Sequence, residues 1–171
     1  MPVSPPQKCA SPLCPSMVDR GYCSKCQAAE VRSTRITVVA GPPSSGKTTY
    51  VAEHKRAGDL VIDMDALAVA LGSDVTHGHD PRVLPFILAA RDGVLDRMGR
   101  PNDVGRVWVI RCAPTNRERR EWAQATVVVL ETPVDECKRR AVKAGRPAIW
   151  ADLIDQWWSD YETNATDEVT S

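Results

Sequence analysis

Gly41-Pro42-Pro43-Ser44-Ser45-Gly46-Lys47-Thr48-Thr49 is the stretch whose residue types and spacing point most directly to chemistry. Gly41 and Gly46 free the backbone to curl so that successive N–H groups point inward. A helix opening at Lys47 adds its own unpaired N–H groups and the positive end of its dipole. The pattern G-x-x-x-x-G-K-[ST], set between a strand and a helix, binds a nucleoside triphosphate. Lys47 then puts a point charge on the β- and γ-phosphates, and the Thr48 hydroxyl holds Mg²⁺. Asp63 and Asp65 stand at the end of the next apolar run. Asp63 is a second Mg²⁺ group, acting through water, and Asp65 is placed to accept a proton from a hydroxyl acceptor. Cations for transition-state charge come from Lys47 and, late in the chain, from Arg139, Arg140, Lys143 and Arg146, where Gly145-Arg146-Pro147 makes a flexible cover. The plainer reading of the late cluster is a solvated helix end whose charges complement the dipole.

A second chemistry-bearing set is Cys9-x4-Cys14-x8-Cys23-x2-Cys26, four of the six cysteines. In a reducing compartment such clustering favours a metal over disulfides, and four thiolates on two short knuckles suit tetrahedral Zn²⁺. Pro12, Pro15 and Gly21 supply turns, and folding of so small a module would depend on the metal. Cys112 and Cys137 read as ordinary buried small residues.

The elements that must position these groups alternate. Ile36–Ala40 is a β-branched strand, followed by a helix from Lys47 to about Arg56 with Gly58 as its stop. Leu60-Val61-Ile62-Asp63 is the second strand; if it continues, period-two alternation puts Asp63 and Asp65 on one side. A short helix at 66–71 and a polar loop at 72–80 follow. His77 and His79 in that loop read as solvated, with a substrate or metal role as the alternative. Asp80-Pro81 has the form of a helix start, Asp as N-cap and Pro at N1. Arg91 interrupts that helix's apolar face and reads as a snorkelling side chain. Val107–Arg111 and Thr126–Leu130 are the third and fourth strands, with a charged, solvated run at 116–120 between them. Thr132-Pro133 opens another helix. Trp150, Ile154, Trp157, Trp158 and Tyr161 form a helical stripe that reads as core packing, with a base-stacking platform as the alternative. Residues 163–171 read as a disordered polar tail.

Composition fits one α/β domain, residues 36–162, with a small N-terminal module (1–30) and a connector (31–35). The chain has 22 basic and 22 acidic side chains in 171 residues. Residues 1–35 are slightly basic (Lys8, Arg20, Lys25, Arg32 and Arg35 against Asp19 and Glu30), an excess too small to argue nucleic-acid binding. No apolar run approaches membrane-spanning length, and no apolar stretch follows the N-terminal charges, so a cytoplasmic location is expected.

Phosphate loop, Asp63-Met64-Asp65 after the second strand, and Arg139-Arg140-Ala141-Val142-Lys143-Ala144-Gly145-Arg146-Pro147 before a Trp-Trp helix together resemble the nucleoside-monophosphate-kinase-like branch of P-loop NTPases. Within it the chain resembles the small AAA-type phosphotransferases related to polynucleotide kinase, many of them phage-encoded, which would place it in the host cytoplasm. The resemblance covers about 36–162. It implies a parallel sheet of order 2-3-1-4, ATP as donor, Mg²⁺ as cofactor, Asp65 as base toward the acceptor hydroxyl, and Arg140 and Arg146 as lid arginines. The chain departs from the pattern in having Ala66-Leu67-Ala68 where polynucleotide kinases carry an Arg, and in offering no evident fifth strand. The four-cysteine module resembles zinc knuckles that precede phage nucleases, which makes nucleic acid a partner by analogy.

Three readings remain open at this level. One is a kinase moving the γ-phosphoryl of ATP to a hydroxyl, such as a polynucleotide 5′-hydroxyl. Another is a nucleic-acid-associated ATPase with Leu60–Asp63 as its acidic strand. The last is a zinc adaptor that only senses nucleotide.

Overall fold

A computed structural model of the chain describes residues 7–8, 16–18, 35–75, 77–98, 102, 104–115, 118, 125–161 and 167–170. Two short strands, β1 (Gln7–Lys8) and β2 (Met17–Val18), pair antiparallel. Cys9, Cys14, Cys23 and Cys26 lie outside the described residues, as does most of the charged run at 116–120.

The body is a five-stranded parallel sheet. Its strands are β3 (Arg35–Ala40), β4 (Leu60–Ile62), β5 (Arg106–Ile110), β6 (Thr126–Leu130) and β7 (Asp167–Thr170), in the order β4-β5-β3-β6-β7. β3, β5 and β6 are near-continuous Val/Ile runs, as a parallel sheet covered on both faces requires. Alternation splits them between two cores. Val38, Ala40, Val107, Val109, Val127 and Val129 pack on one face with Ile62, Met98 and Trp157. Val39, Trp108, Ile110, Val128 and Leu130 pack on the other with Val51.

The helices are α1 (Lys47–His54), α2 (Met64–Ala70), α3 (Leu84–Met98), α4 (Val134–Lys143) and α5 (Ile149–Asp160). Val51 of α1 covers the second face, while Met98 of α3 and Trp157 of α5 cover the first. α4 and α5 form their own small core from Cys137, Ala141 and Ile154, edged by Val134 and Trp150. Among the described residues no helix is long and apolar enough to cross a membrane.

Two local expectations need correcting. Asp80 caps a turn and not the helix itself: its Oδ1 accepts from Arg82 N at 2.8 Å and its carbonyl from Val83 N at 2.9 Å, and α3 begins only at Leu84. Residues 167–170 do not belong to a disordered tail. They form β7, in parallel register with β6 (Val127↔Asp167 to Leu130↔Thr170), and Glu131 N donates to Thr170 O at 2.9 Å. An edge strand needs only a backbone ladder, and Asp167 and Glu168 are the kind of charged residues that protect an edge from further pairing. That polarity hid the strand from a hydrophobic pattern.

Candidate active site

The carboxyl ends of β3, β4, β5 and β6 open onto one cleft of about 1040 Å³, the position at which parallel α/β sheets hold ligands. Gly41, the residue after β3, donates its N–H to Cys112 O at 3.0 Å, which pins the loop to the end of β5. The loop then turns through Ser44 (φ 63°) and Gly46 (φ 98°) into α1. These left-handed positions aim successive N–H groups into one concavity, the nest that receives an anion. Gly41 has to be glycine on two counts: its φ is +152°, and a Cβ there would lie 2.8 Å from Ser45 Oγ and 2.9 Å from Leu130 O.

Lys47 Nζ donates to Gly41 O at 2.9 Å and to Pro42 O at 2.7 Å, curling over its own loop. Burial pushes its pKa below the ordinary lysine value, against the opposing pull of Cys112, Cys137, Asp63 and Asp65. The loop is braced from β6 and α4: Thr132 Oγ1 and an Arg140 amino group donate to Ser45 O at 2.9 and 3.2 Å. Arg140 also pairs with Glu136, at 2.6 Å, so its guanidinium is held at the loop instead of free in solvent. Pro42, Pro43, Thr48 and Thr49 complete the turn and the first turn of α1, with Thr48 and Thr49 exposed and lining the cleft.

Asp63 and Asp65 both line the cleft, though not by strand alternation. β4 stops at Ile62. Asp63 becomes the N-cap of α2, its Oδ1 accepting from Asp65 N at 3.0 Å, and Asp65 enters the helix's first turn. An extended Asx cap competes successfully with one more ladder residue here. Asp63 Oδ2 takes no hydrogen bond among the described residues. With Thr48 this leaves one hydroxyl and one carboxylate, a donor set that suits Mg²⁺, which retains much of its water.

His77 and His79 are not solvated loop residues. His77 Nδ1 lies 2.7 Å from Asp65 Oδ2, and His79 Nε2 lies 2.9 Å from Asp65 Oδ1. Both carboxylate oxygens are therefore gripped by imidazoles, while the carboxylate itself remains 42% exposed. The i, i+2 spacing of two histidines around Gly78 (φ 67°) is the only sequence signal for this, and nothing local says which group they meet. Among the described residues no set of three or more His, Cys, Asp or Glu is arranged to hold a metal ion.

The His77 ring meets Trp150 edge-on, centroids 5.2 Å apart, and the Arg146 guanidinium lies 4.8 Å from the Trp150 ring centroid. Arg146, Trp150 and His77 thus run from the turn after α4 to Asp65, and all three line the cleft. The aromatic stripe of α5 is accordingly divided. Ile154 and Trp157 are core, and Trp150 faces the site. Arg139 pairs with Glu136 and points outward, and Lys143 is exposed and outside the cleft lining.

At the end of β5, Arg111 donates to Glu118 at 2.8 Å, and Arg91 approaches the same carboxylate at 3.5 Å, which ties Arg91 into an internal network. Burial works to raise the Glu118 pKa, but hydrogen bonds from Thr115 and the Arg111 charge outweigh it and hold the carboxyl below its ordinary range. Arg111 Nε is buried without a partner among the described residues. Cys112 is exposed in the cleft, contrary to the expectation of burial, because its backbone carbonyl is what the fold uses: it accepts both Gly41 N–H and Trp157 Nε1–H, the latter at 2.8 Å. Cys137 is buried as expected. A second cavity of about 450 Å³ shares Pro43, Cys112, Ala113 and Leu153 with the cleft and extends along Trp157 and Tyr161.

No protein-family model matches the sequence, nor does any curated protein. Solved structures do match. A chain of the Pnkp1/Rnl/Hen1 RNA repair complex superposes with a TM-score of 0.57 at 11% identity, over 77% of this chain and 47% of that one. This chain thus spans less than half the length of that relative. A gluconokinase from Sinorhizobium meliloti 1021 (TM-score 0.49, 20% identity, 81% of this chain and 82% of that one) and a shikimate kinase from Acinetobacter baumannii in complex with shikimate (0.49, 19%, 81% and 88%) are also similar. With its parallel sheet, its phosphate loop after the central strand and its likeness to the repair-complex chain, this chain has a P-loop fold.

Proposed function

We propose that this protein is an ATP-dependent phosphotransferase that moves the γ-phosphoryl group to a hydroxyl acceptor, in the best-supported case the 5′-hydroxyl of a polynucleotide. The observation that carries this reading is Asp65. A carboxylate fixed through both oxygens, in the same cleft as Lys47 and Arg146, is what a transferase needs beside its acceptor. ATP lies along residues 41–49, with Lys47 on the β- and γ-phosphates and Arg140 and Arg146 offsetting charge that spreads over the transferred group. Mg²⁺ would be held by Thr48 and Asp63 and would neutralise phosphate charge.

The polynucleotide acceptor is supported by the apolar cavity that continues the cleft past Pro43 and Cys112, room that a small polyol would not need, and by the repair complex among the structural relatives. Residues 36 onward make up the kinase domain and residues 1–30 a zinc module, with Cys9, Cys14, Cys23 and Cys26 as ligands and nucleic acid as its partner. Four thiolates imply a reducing, cytoplasmic setting.

The test uses γ-labelled ATP with 5′-hydroxyl DNA, 5′-hydroxyl RNA, nucleosides and water as acceptors. Label is expected on a polynucleotide, and Asp65→Asn is expected to lower transfer by about 10²–10⁴-fold while ATP still binds. Free phosphate as the sole product sinks the kinase reading in favour of a nucleic-acid-associated ATPase. For the zinc module, metal analysis of protein purified from zinc-replete cells is expected to find one Zn²⁺ per chain, lost in Cys23→Ser; protein that carries no zinc ends that part.

A further inference from the structure

Asp65 does not offer a bare carboxylate to the acceptor. A carboxylate accepts hydrogen bonds and does not donate them, so the 2.7 Å contact fixes His77 as the Nδ1–H tautomer donating to Oδ2. In the neutral ring the opposite nitrogen, Nε2, carries the lone pair, and it points away from Asp65. His77 lines the cleft, and its Nε2 has no hydrogen-bond partner among the described residues. His79 is arranged differently. Its Nδ1 lies 3.2 Å from Ser73 Oγ, which is also 2.9 Å from Val75 O. His79 donates from Nε2 to Asp65 Oδ1 at 2.9 Å. Both ring nitrogens of His79 are thus engaged, whereas His77 keeps one nitrogen open to the cleft.

We infer that His77, oriented by Asp65, is the catalytic residue that takes the proton of the acceptor hydroxyl. The inference rests on the kinase reading and deepens it: Asp65 plays the orienting role that a carboxylate plays behind an imidazole in an acid–base dyad. In the transfer step the acceptor O–H proton passes to His77 Nε2, giving an imidazolium whose Nδ1–H remains bonded to Asp65. The acceptor oxygen forms its bond to the γ-phosphorus. The bond between that phosphorus and the β–γ bridging oxygen breaks, and its electron pair leaves with ADP. His77 then returns the proton to solvent. Trp150 holds the ring from its edge and is itself covered by Arg146, so the base is placed only where the turn after α4 lies over the cleft.

His77→Asn separates this from direct action by Asp65, because an Asn amide can still donate to Asp65 yet has no basic nitrogen. The measurement is kcat and KM for ATP and for the 5′-hydroxyl acceptor that wild type labels, with ATP affinity measured separately. The expected result is a kcat loss of at least about 100-fold with both KM values within about threefold of wild type, the size expected for removing a general base. His79→Asn, which leaves His77 and its Asp65 bond in place, is expected to lose less than about tenfold. A kcat loss below tenfold in His77→Asn, or a loss carried by KM, overturns the assignment and returns the proton to Asp65. If wild type labels no acceptor, the kinase reading itself falls, a different outcome from one in which wild type transfers and His77→Asn does too.

Discussion

Lys47→Ala is expected to turn over ATP about 10³-fold more slowly than wild type, the size of effect seen when one preorganised donor to developing charge is removed. The ammonium is held at the mouth of the phosphate loop by Gly41 O and Pro42 O, 2.9 and 2.7 Å away, so nucleotide phosphates meet it already in position. The fold should survive. Lys47 lies in a place where burial disfavours its charge, and its alanine variant gives up that penalty along with two hydrogen bonds. The pH dependence of stability provides a second readout. Because the folded-state pKa of Lys47 is depressed, the unfolded chain binds more protons between that value and the ordinary lysine value, so wild-type stability gains a contribution as pH rises through this alkaline window. Lys47→Ala lacks that contribution. Single-turnover kinetics with chemical denaturation at neutral and alkaline pH measures both, and wild-type turnover in the variant would remove the phosphate loop from the mechanism.

Gly41→Ala is the second large expected effect, and it acts through the backbone. The methyl group would meet Ser45 Oγ and the carbonyl of Leu130 inside 3 Å, and only the first of these can move aside. With φ at +152°, an L-residue is strained as well, by about 1–3 kcal/mol. The loop must shift off the end of β5, giving up the Gly41 N–H bond to Cys112 O. Two misplaced loop N–H donors, each about 1.5 kcal/mol toward a charged ligand, amount to roughly 100-fold in nucleotide affinity. A loss of about 2–3 kcal/mol of stability lowers the melting temperature by roughly 5–10 °C for a domain of this size. Gly58→Ala is the control: φ there is +88°, yet nothing lies within 4 Å of the new methyl. It should melt lower and bind nucleotide as wild type does. Titration calorimetry and a melting curve distinguish the two, and equal nucleotide affinities would contradict the account of Gly41.

Much of the cleft was legible in the residues. A β-branched run, a Gly/Pro/Ser turn and Gly46-Lys47-Thr48 define strand, loop and helix within one local segment, and the loop's backbone chemistry is complete there. The strands β3 to β6 were legible too, because a sheet covered on both faces demands unbroken apolar runs. β7 was not, since its four residues lie at an edge where the ladder and not burial holds them. Arg140 and Arg146 were marked as cations near phosphate, but whether a long side chain turns inward or outward depends on what it packs against. Arg140 finds Ser45 O and Arg146 finds Trp150, while Arg139, one residue away, pairs with Glu136 and stays largely exposed.

By itself, then, the sequence determined that an anion-binding loop follows a buried strand and that two carboxylates follow the next one, because those features depend on contacts within a few residues. Only the tertiary structure decided what Asp65 is bonded to. His79 reaches it from fourteen residues further along the chain, past the rest of α2, and His77 from the same loop, while Trp150 reaches His77 from the far end of the chain with Arg146 over its ring. Contacts of that kind are set by where the sheet puts the ends of β4 and α5, a matter of packing that no local spacing encodes.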